Sequence, residues 1–148
     1  FLVERWLGGL LTNFSEMKRL LKKYNTTKAE QASGELERYT KSEQVRIGKE
    51  LVKQDETLGG IATLERMPDA IFLPSMHKEK TAVTEANATG VPIIAVCDTN
   101  ADPSKVTYCI PGNDDGVKSI TLLVNAVADA VIEGRKEWEK KKSEGVNA

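Results

Sequence analysis

Histidine and cysteine are scarce in this sequence of 148 residues, with one His and two Cys. A lone His77 cannot build a metal cluster or a Ser-His-Asp arrangement, and after the Leu73-Pro74 strand end it reads as a loop residue. Cys97 and Cys109 have no C-x-x-C spacing and lie in apolar, strand-like contexts. Both are expected to be free, buried thiols of a protein kept in a reducing compartment. No apolar run approaches the roughly 18 residues that a membrane-spanning helix requires. A phosphate-cradling loop is missing as well: the chain contains neither G-x-x-x-x-G-K-[ST] nor G-x-G-x-x-G, and Gly8-Gly9 and Gly59-Gly60 have neither spacing. Charge of one sign is also lacking, since 21 Lys and Arg face 22 Asp and Glu for a net charge of −1. An anionic partner must therefore be met by local patches. Phe1 opens the sequence with neither methionine nor a signal-peptide pattern, so the chain is expected to be processed or part of a longer one.

What is present suits one globular domain. Residues are 40% hydrophobic and 29% charged, and a chain of this length buries roughly 68–70% of its unfolded surface. Residues 1–12 are apolar and broken by Gly8-Gly9, which predicts a strand end turning into a helix. Asn13 with Glu16 forms a capping pattern, and Phe14, Met17, Leu21 and Tyr24 recur at helical spacing with Lys18, Arg19, Lys22 and Lys23 mostly off that stripe. Residues 25–39 are polar and bend at Ser33-Gly34. Thr40 with Glu43 is a capping box for a second helix, whose apolar positions are Ile47, Leu51 and Leu58 and which Gly59-Gly60 ends. Two such helices pack most simply as an antiparallel, coiled-coil-like hairpin.

After Met67-Pro68 the pattern changes to α/β. Ala70–Leu73 reads as a strand, Thr81–Thr89 as a helix stopped by Gly90, and Val91–Val96 as a second buried strand, a βαβ unit. A third strand is expected over Val106–Ile110, after a connection too short for an ordinary helical crossover. A long helix follows, with Val117, Ile120, Val124, Val127 and Val131 facing inward, and Arg135–Lys142 reads as a solvated helical extension. These elements make an incomplete doubly wound sheet from which at least one parallel partner is missing.

Asp98 ends a parallel strand where ligands bind in open α/β sheets, yet it also suits a turn in which it caps Thr99 and Asn100. Asp114 and Asp115 allow acid/base or metal chemistry, whereas Asn113 or Asp114 also suits the cap of the long helix. Between Glu16 and Lys28 five basic residues face one acidic residue, and a second basic concentration lies at 135–142. Such a face is either merely solvated or a polyanion contact. Arg5 and Trp6 are able to stack on a base, though Trp6 beside Leu7 also suits the core. Two other readings stay open: a flavodoxin-like nucleotide- or metal-binding enzyme using Asp98, Asp114 and Asp115, and a helical-hairpin adaptor that binds only protein.

Three blocks, Arg5-Trp6-Leu7-Gly8-Gly9-Leu10-Leu11-Thr12-Asn13-Phe14, Gly90–Pro103 and Ile110–Asp115, together resemble the universal small-subunit ribosomal protein family S-two, in its bacterial and organellar branch. Leu58–Ile61, Pro68–Ala70, Glu85–Asn87, Ala128–Ala130 and Glu133–Arg135 agree in order and spacing, so the likeness spans about residues 1–135. The resemblance implies a flavodoxin-like α/β domain with its N-terminal part missing, formed by 1–12 and 61–135, with an inserted helical hairpin at 13–60 and a charged tail at 136–148. It also implies a non-catalytic constituent of the small subunit, without cofactor or metal. Its partners would be ribosomal RNA near the head–body junction and neighbouring ribosomal proteins, among them the large S-one protein in bacteria. The expected location is the ribosome, in a bacterial cytoplasm or an organellar matrix. The chain departs from the family at Leu73–Glu79, where Ser75 stands in place of a usual Asp. Candidate RNA-binding residues are Arg5, Asn13, Lys18, Arg19, Lys22, Lys23 and Asn113, which would read RNA shape rather than sequence.

Overall fold

A computed structural model describes residues 1–143. Its helices are α1 (Phe14–Ser33), α2 (Lys41–Leu58), α3 (Lys80–Thr89) and α4 (Val117–Ser143), and its strands β1 (Ile71–Leu73), β2 (Ile93–Cys97) and β3 (Tyr108–Pro111). The strands form a parallel sheet in the order β1-β2-β3. The α/β architecture agrees with the flavodoxin-like expectation. The chain folds as two compact units, one of Phe1–Ile71 with Glu79–Pro92 and the other of Phe72–Lys78 with the chain from Ile93 onward.

In the first unit α1 and α2 form the expected hairpin. Met17, Leu21 and Tyr24 of α1 pack with Leu51 and Leu58 of α2 and with Leu10, and Trp6, Leu7 and Ile47 flank this cluster. Burying such side chains contributes about 1.5–3 kcal/mol each, which explains why two helices with narrow apolar seams stay together. α1 runs nine residues beyond Tyr24, through the polar stretch that leads to the bend at Ser33-Gly34. Partners from outside α1 hold these polar turns: Asn25 Nδ2 donates to the Ala62 carbonyl at 2.8 Å, and Lys28 Nζ donates to Asp55. Gly34, at φ +81°, supplies the left-handed residue that ends the helix. The capping box of α2 is present: Thr40 Oγ1 accepts from Glu43 N–H, and Thr40 N–H donates to Glu43 Oε2 at 3.0 Å.

Two local expectations in this unit are corrected. No strand forms over residues 1–12, because the N–H groups of Gly9, Leu11 and Thr12 donate to the Glu85 carboxylate instead of to a neighbouring strand. Asn13 holds the N-cap position of α1 but accepts no capping bond. Its ψ of 47° departs from the extended conformation that aims a capping side chain at the helix, and Glu16 pairs with Arg19 at 2.9 Å.

In the second unit β2 is buried along almost its whole length, as the middle strand of a parallel sheet should be. β3 pairs parallel to it, Ala95 opposite Cys109 and Val96 opposite Ile110, across a connection that holds only the short 3-10 turn Pro103–Lys105. Being an edge strand with uncovered faces, β3 leaves both Tyr108 and Cys109 exposed. The expectation of two buried thiols therefore holds for Cys97 alone. α4 corrects a further expectation. Ile120, Leu123, Val124 and Val127 are half-buried, while Val117 and Val131 are exposed. Twenty-seven helical residues extend about 40 Å, whereas a five-residue strand extends about 17 Å, so the helix outruns the sheet. The extension from Arg135 continues α4 to Ser143; the remainder of the tail lies outside the described residues.

Candidate nucleic-acid interface

The outer face of α1 carries the basic residues. Lys18 and Lys22 stand one turn apart, as do Arg19 and Lys23, and Met17, Leu21 and Tyr24 occupy the opposite, buried side. Arg19 forms an exposed ion pair with Glu16. No carboxylate partner engages Lys18, Lys22 or Lys23 among the described residues, which leaves three ammonium groups to solvent or to a ligand. Two shallow grooves flank this face and share Lys22 and Thr26. One runs between Lys18, Lys22 and Asn25 and the segment Ala62–Glu65. The other, of about 490 Å³, brings Arg19, Lys22, Lys23 and Thr27 beside Arg38 and Tyr39 of the α1–α2 connection.

Arg38 and Tyr39 escape a search of the sequence for charge runs, since they lie in a polar bend between two helices. A cation next to an aromatic, directly before the Thr40 capping box, is the signal that points to them. Arg38 Nη2 bonds Glu30 Oε1 at 2.7 Å, and its guanidinium lies 5.1 Å from the centre of the Tyr39 ring. The Tyr39 backbone is fixed on both sides, its N–H donating to the Leu36 carbonyl at 3.0 Å and its carbonyl accepting from Gln44 Nε2 at 2.9 Å. Leu36 is itself buried.

The base of the hairpin is tied by Tyr24, Lys28 and Asp55. The Tyr24 hydroxyl donates to Asp55, and Lys28 Nζ donates to Asp55 and, at 3.0 Å, to the Tyr24 hydroxyl. Lys28 and then Tyr24 hold the Asp55 carboxyl below its usual range, and Asp55 together with Tyr24 raises the Lys28 ammonium. Lys28 is thus a positioning cation of the hairpin.

Arg5 and Asn13 are exposed on either side of the turn that Glu85 organises, and neither lines the two grooves. Glu85 is 7% exposed and accepts from Trp6 Nε1, from the N–H groups of Gly9, Leu11 and Thr12, and from Thr12 Oγ1, at 2.7–3.2 Å. Burial pushes its carboxyl up, but the backbone donors and the indole outweigh that and hold it below the usual value. The turn from Trp6 to Thr12 is therefore shaped around a charge, and Gly9, at φ +85°, supplies the conformation that a side chain would oppose. Trp6 packs against the core cluster, in line with its core reading.

Asn113 lies in the other unit. Its Oδ1 accepts from Asp115 N–H at 2.9 Å and Gly116 N–H at 2.7 Å, which closes a turn just ahead of α4; both donors precede Val117, so Asn113 does not cap the helix as expected. The strand-end acids have comparable partners. Asp98 accepts from Thr99 N–H at 2.6 Å and from Asp114 N–H at 3.4 Å, bonds that lower its carboxyl pKa. Asp114, 2% exposed, accepts from Ser75 Oγ at 2.5 Å, and Asp115 pairs with Lys78 at 2.9 Å. His77 is exposed in the turn after β1. Burial, and next the Cys109 thiol, push Cys97 up to about 11, so it behaves as a small hydrophobe beside Met76. No group of three or more His, Cys, Asp or Glu is placed to hold a metal among the described residues.

Residues 1–134 match the family model described as ribosomal protein S2. The chain belongs to the ribosomal protein S2 family. It is 43% identical over 139 residues to the small ribosomal subunit protein uS2 of Roseiflexus sp. strain RS-1, a match that covers 94% of this chain and 53% of the relative. The uS2 protein of Chlorobium luteolum is 44% identical over 135 residues, 91% of this chain and 53% of its own length. That of Bdellovibrio bacteriovorus is 42% identical over 141 residues, 95% of this chain and 45% of its own length. The chain thus spans about half the length of the uS2 relatives it matches. As the sequence suggested, it is of the bacterial type within the S2 family.

Proposed function

We propose that this chain is a non-catalytic, structural constituent of the small ribosomal subunit that binds ribosomal RNA through the basic face of α1. One observation carries the reading to particular residues: on a chain of net charge −1, Lys18, Lys22 and Lys23 share one exposed helix face with no carboxylate partner among the described residues, beside two open grooves. The uS2 relatives, named as small ribosomal subunit proteins, supply the assembly. Phosphate contacts from such a face position a protein on RNA without reading sequence. Arg19 adds a fourth cation once it leaves Glu16, an exposed pair that costs little to open. Arg5, Asn13 and the turn at Asn113 are secondary contacts to RNA or to neighbouring ribosomal proteins, the large S-one protein among them in bacteria. In the domain layout that accompanies this reading, 13–60 is an insertion in an α/β domain made of 1–12 and 61–135. The chain acts on the ribosome, in a bacterial cytoplasm or an organellar matrix, and needs no cofactor or membrane.

Charge reversal tests the reading. Lys18→Glu combined with Arg19→Glu weakens association with small subunits in a salt-dependent way, and unchanged incorporation of that variant in cells would refute the assignment of this face.

A further inference from the structure

We infer that the groove between α1 and the Arg38–Tyr39 connection holds an unpaired RNA nucleotide, its base stacked on the Tyr39–Arg38 pair and its phosphate on Lys22 and Lys23. This deepens, and rests on, the reading of α1 as an RNA-binding face. Several independent features converge there.

Tyr39 is a large aromatic, 37% exposed, at the rim of a shallow groove of about 490 Å³. Its ring already carries the Arg38 guanidinium at 5.1 Å, and aromatic and guanidinium planes are the surfaces on which unstacked bases are held. The pair is built in place rather than free to collapse. Tyr39 is hydrogen-bonded through both its backbone N–H and its carbonyl, and Glu30 fixes Arg38. Such fixing reduces the ordering cost of binding.

The walls of the groove complete the chemistry. Lys22 and Lys23 present ammonium groups that no carboxylate engages among the described residues, and Thr26 and Thr27 add hydroxyls. Glu30, the one acid lining the groove among the described residues, is already paired with Arg38. An apolar ligand would find only one ring here, and a simple anion would leave that ring unused. A nucleotide, with a π-face at one end and a phosphate at the other, uses both. A base inside a duplex offers no face, so the site selects unpaired nucleotides.

The test uses the full chain and a labelled single-stranded RNA of about twelve nucleotides, within the usual range of single-strand site sizes, against a hairpin duplex of the same composition. The proposal expects Tyr39→Ala to weaken single-strand binding about fivefold or more, the lower end of what one stacked base contributes, and to leave duplex binding within about twofold. Tyr39→Phe keeps the ring and is expected to retain affinity. A 5-bromouridine in the strand should crosslink to Tyr39. Equal binding of Tyr39→Ala and the parent chain, with a salt slope that still depends on Lys22 and Lys23, would overturn the stacking site and leave the basic face standing. Failure to bind either RNA would overturn both. Equal displacement of the RNA by oligoglutamate would replace the nucleotide with an acidic peptide as the occupant.

Discussion

The indole N–H of Trp6 donates to Oε1 of Glu85 at 3.2 Å, across 79 positions of sequence. That bond is one of five that converge on a single buried carboxylate and shape the turn leading into the basic helix. Glu85→Gln keeps the size of the side chain but removes the charge and turns an NH2 toward N–H groups that can only donate. The expected cost is about 2–3 kcal/mol, read as a lower denaturation midpoint with unchanged slope.

The same carboxylate sets a pH dependence. Its pKa in the folded chain lies below the ordinary 4.5, so its contribution is fully present above that value and is lost as pH falls through the depressed folded value. Denaturation between pH 7 and 3 should show stability falling more steeply for the parent chain than for Glu85→Gln, with the two curves converging in acid.

Tyr24 joins the hairpin's core to its polar tie. The side chain is 1% exposed and its hydroxyl meets Asp55 and Lys28. Tyr24→Phe is expected to cost about 1 kcal/mol, and Tyr24→Ala about 3–5 kcal/mol through the cavity it leaves. Thermal unfolding followed by circular dichroism separates the two, and equal losses would mean that the hydroxyl, not the ring, carries the contact.

Ser75 and Asp114 make the corresponding pair in the second unit. Ser75→Ala leaves Asp114 Oδ2, in a residue 2% exposed, without its hydroxyl donor at 2.5 Å. A loss of about 1–3 kcal/mol is expected, measured by chemical denaturation. Stability equal to the parent's would show that the bond contributes nothing net.

Lys22→Ala and Lys23→Ala should each reduce the slope of log affinity for RNA against log salt by about 0.7–0.9, the mark of one lost phosphate contact. Circular dichroism should stay unchanged, because both side chains are exposed on the outer face of α1.

Most local chemistry was legible in the sequence, the Asn13–Glu16 cap of α1 excepted. The Thr40–Glu43 box, the Gly34 and Gly90 stops and the Asn113 turn each depend on residues two to four apart, and the structure has each of them. The seam of Met17, Leu21 and Tyr24 followed from helical spacing for the same reason. What depends on distant partners was not. Glu85 sits beside Ala82, Val83 and Ala86, which are buried, yet nothing near it in sequence announces the turn at Gly9–Thr12 as its partner. The turns of α1 past Tyr24 needed Asp55 and Ala62, contributed from beyond the hairpin's tip. Exposure at Cys109 and Val131 depends on what covers an edge strand and the end of a long helix, and their apolar neighbours in sequence cannot report that.

The basic face was visible as a charge run, but its neighbours Arg38 and Tyr39 join it only because the chain reverses at Gly34. The resemblance to the S2 family was legible as well, since Arg5–Phe14, Gly90–Pro103 and Ile110–Asp115 carry it together.

The central claim, that this chain is a constituent of the small ribosomal subunit held there by RNA, is tested most directly by sucrose-gradient sedimentation of a native lysate. The chain is followed by immunodetection, with an RNase-treated sample run in parallel. The account predicts co-migration with the small subunit that is lost on RNase treatment, whereas a slow, RNase-insensitive peak would contradict it.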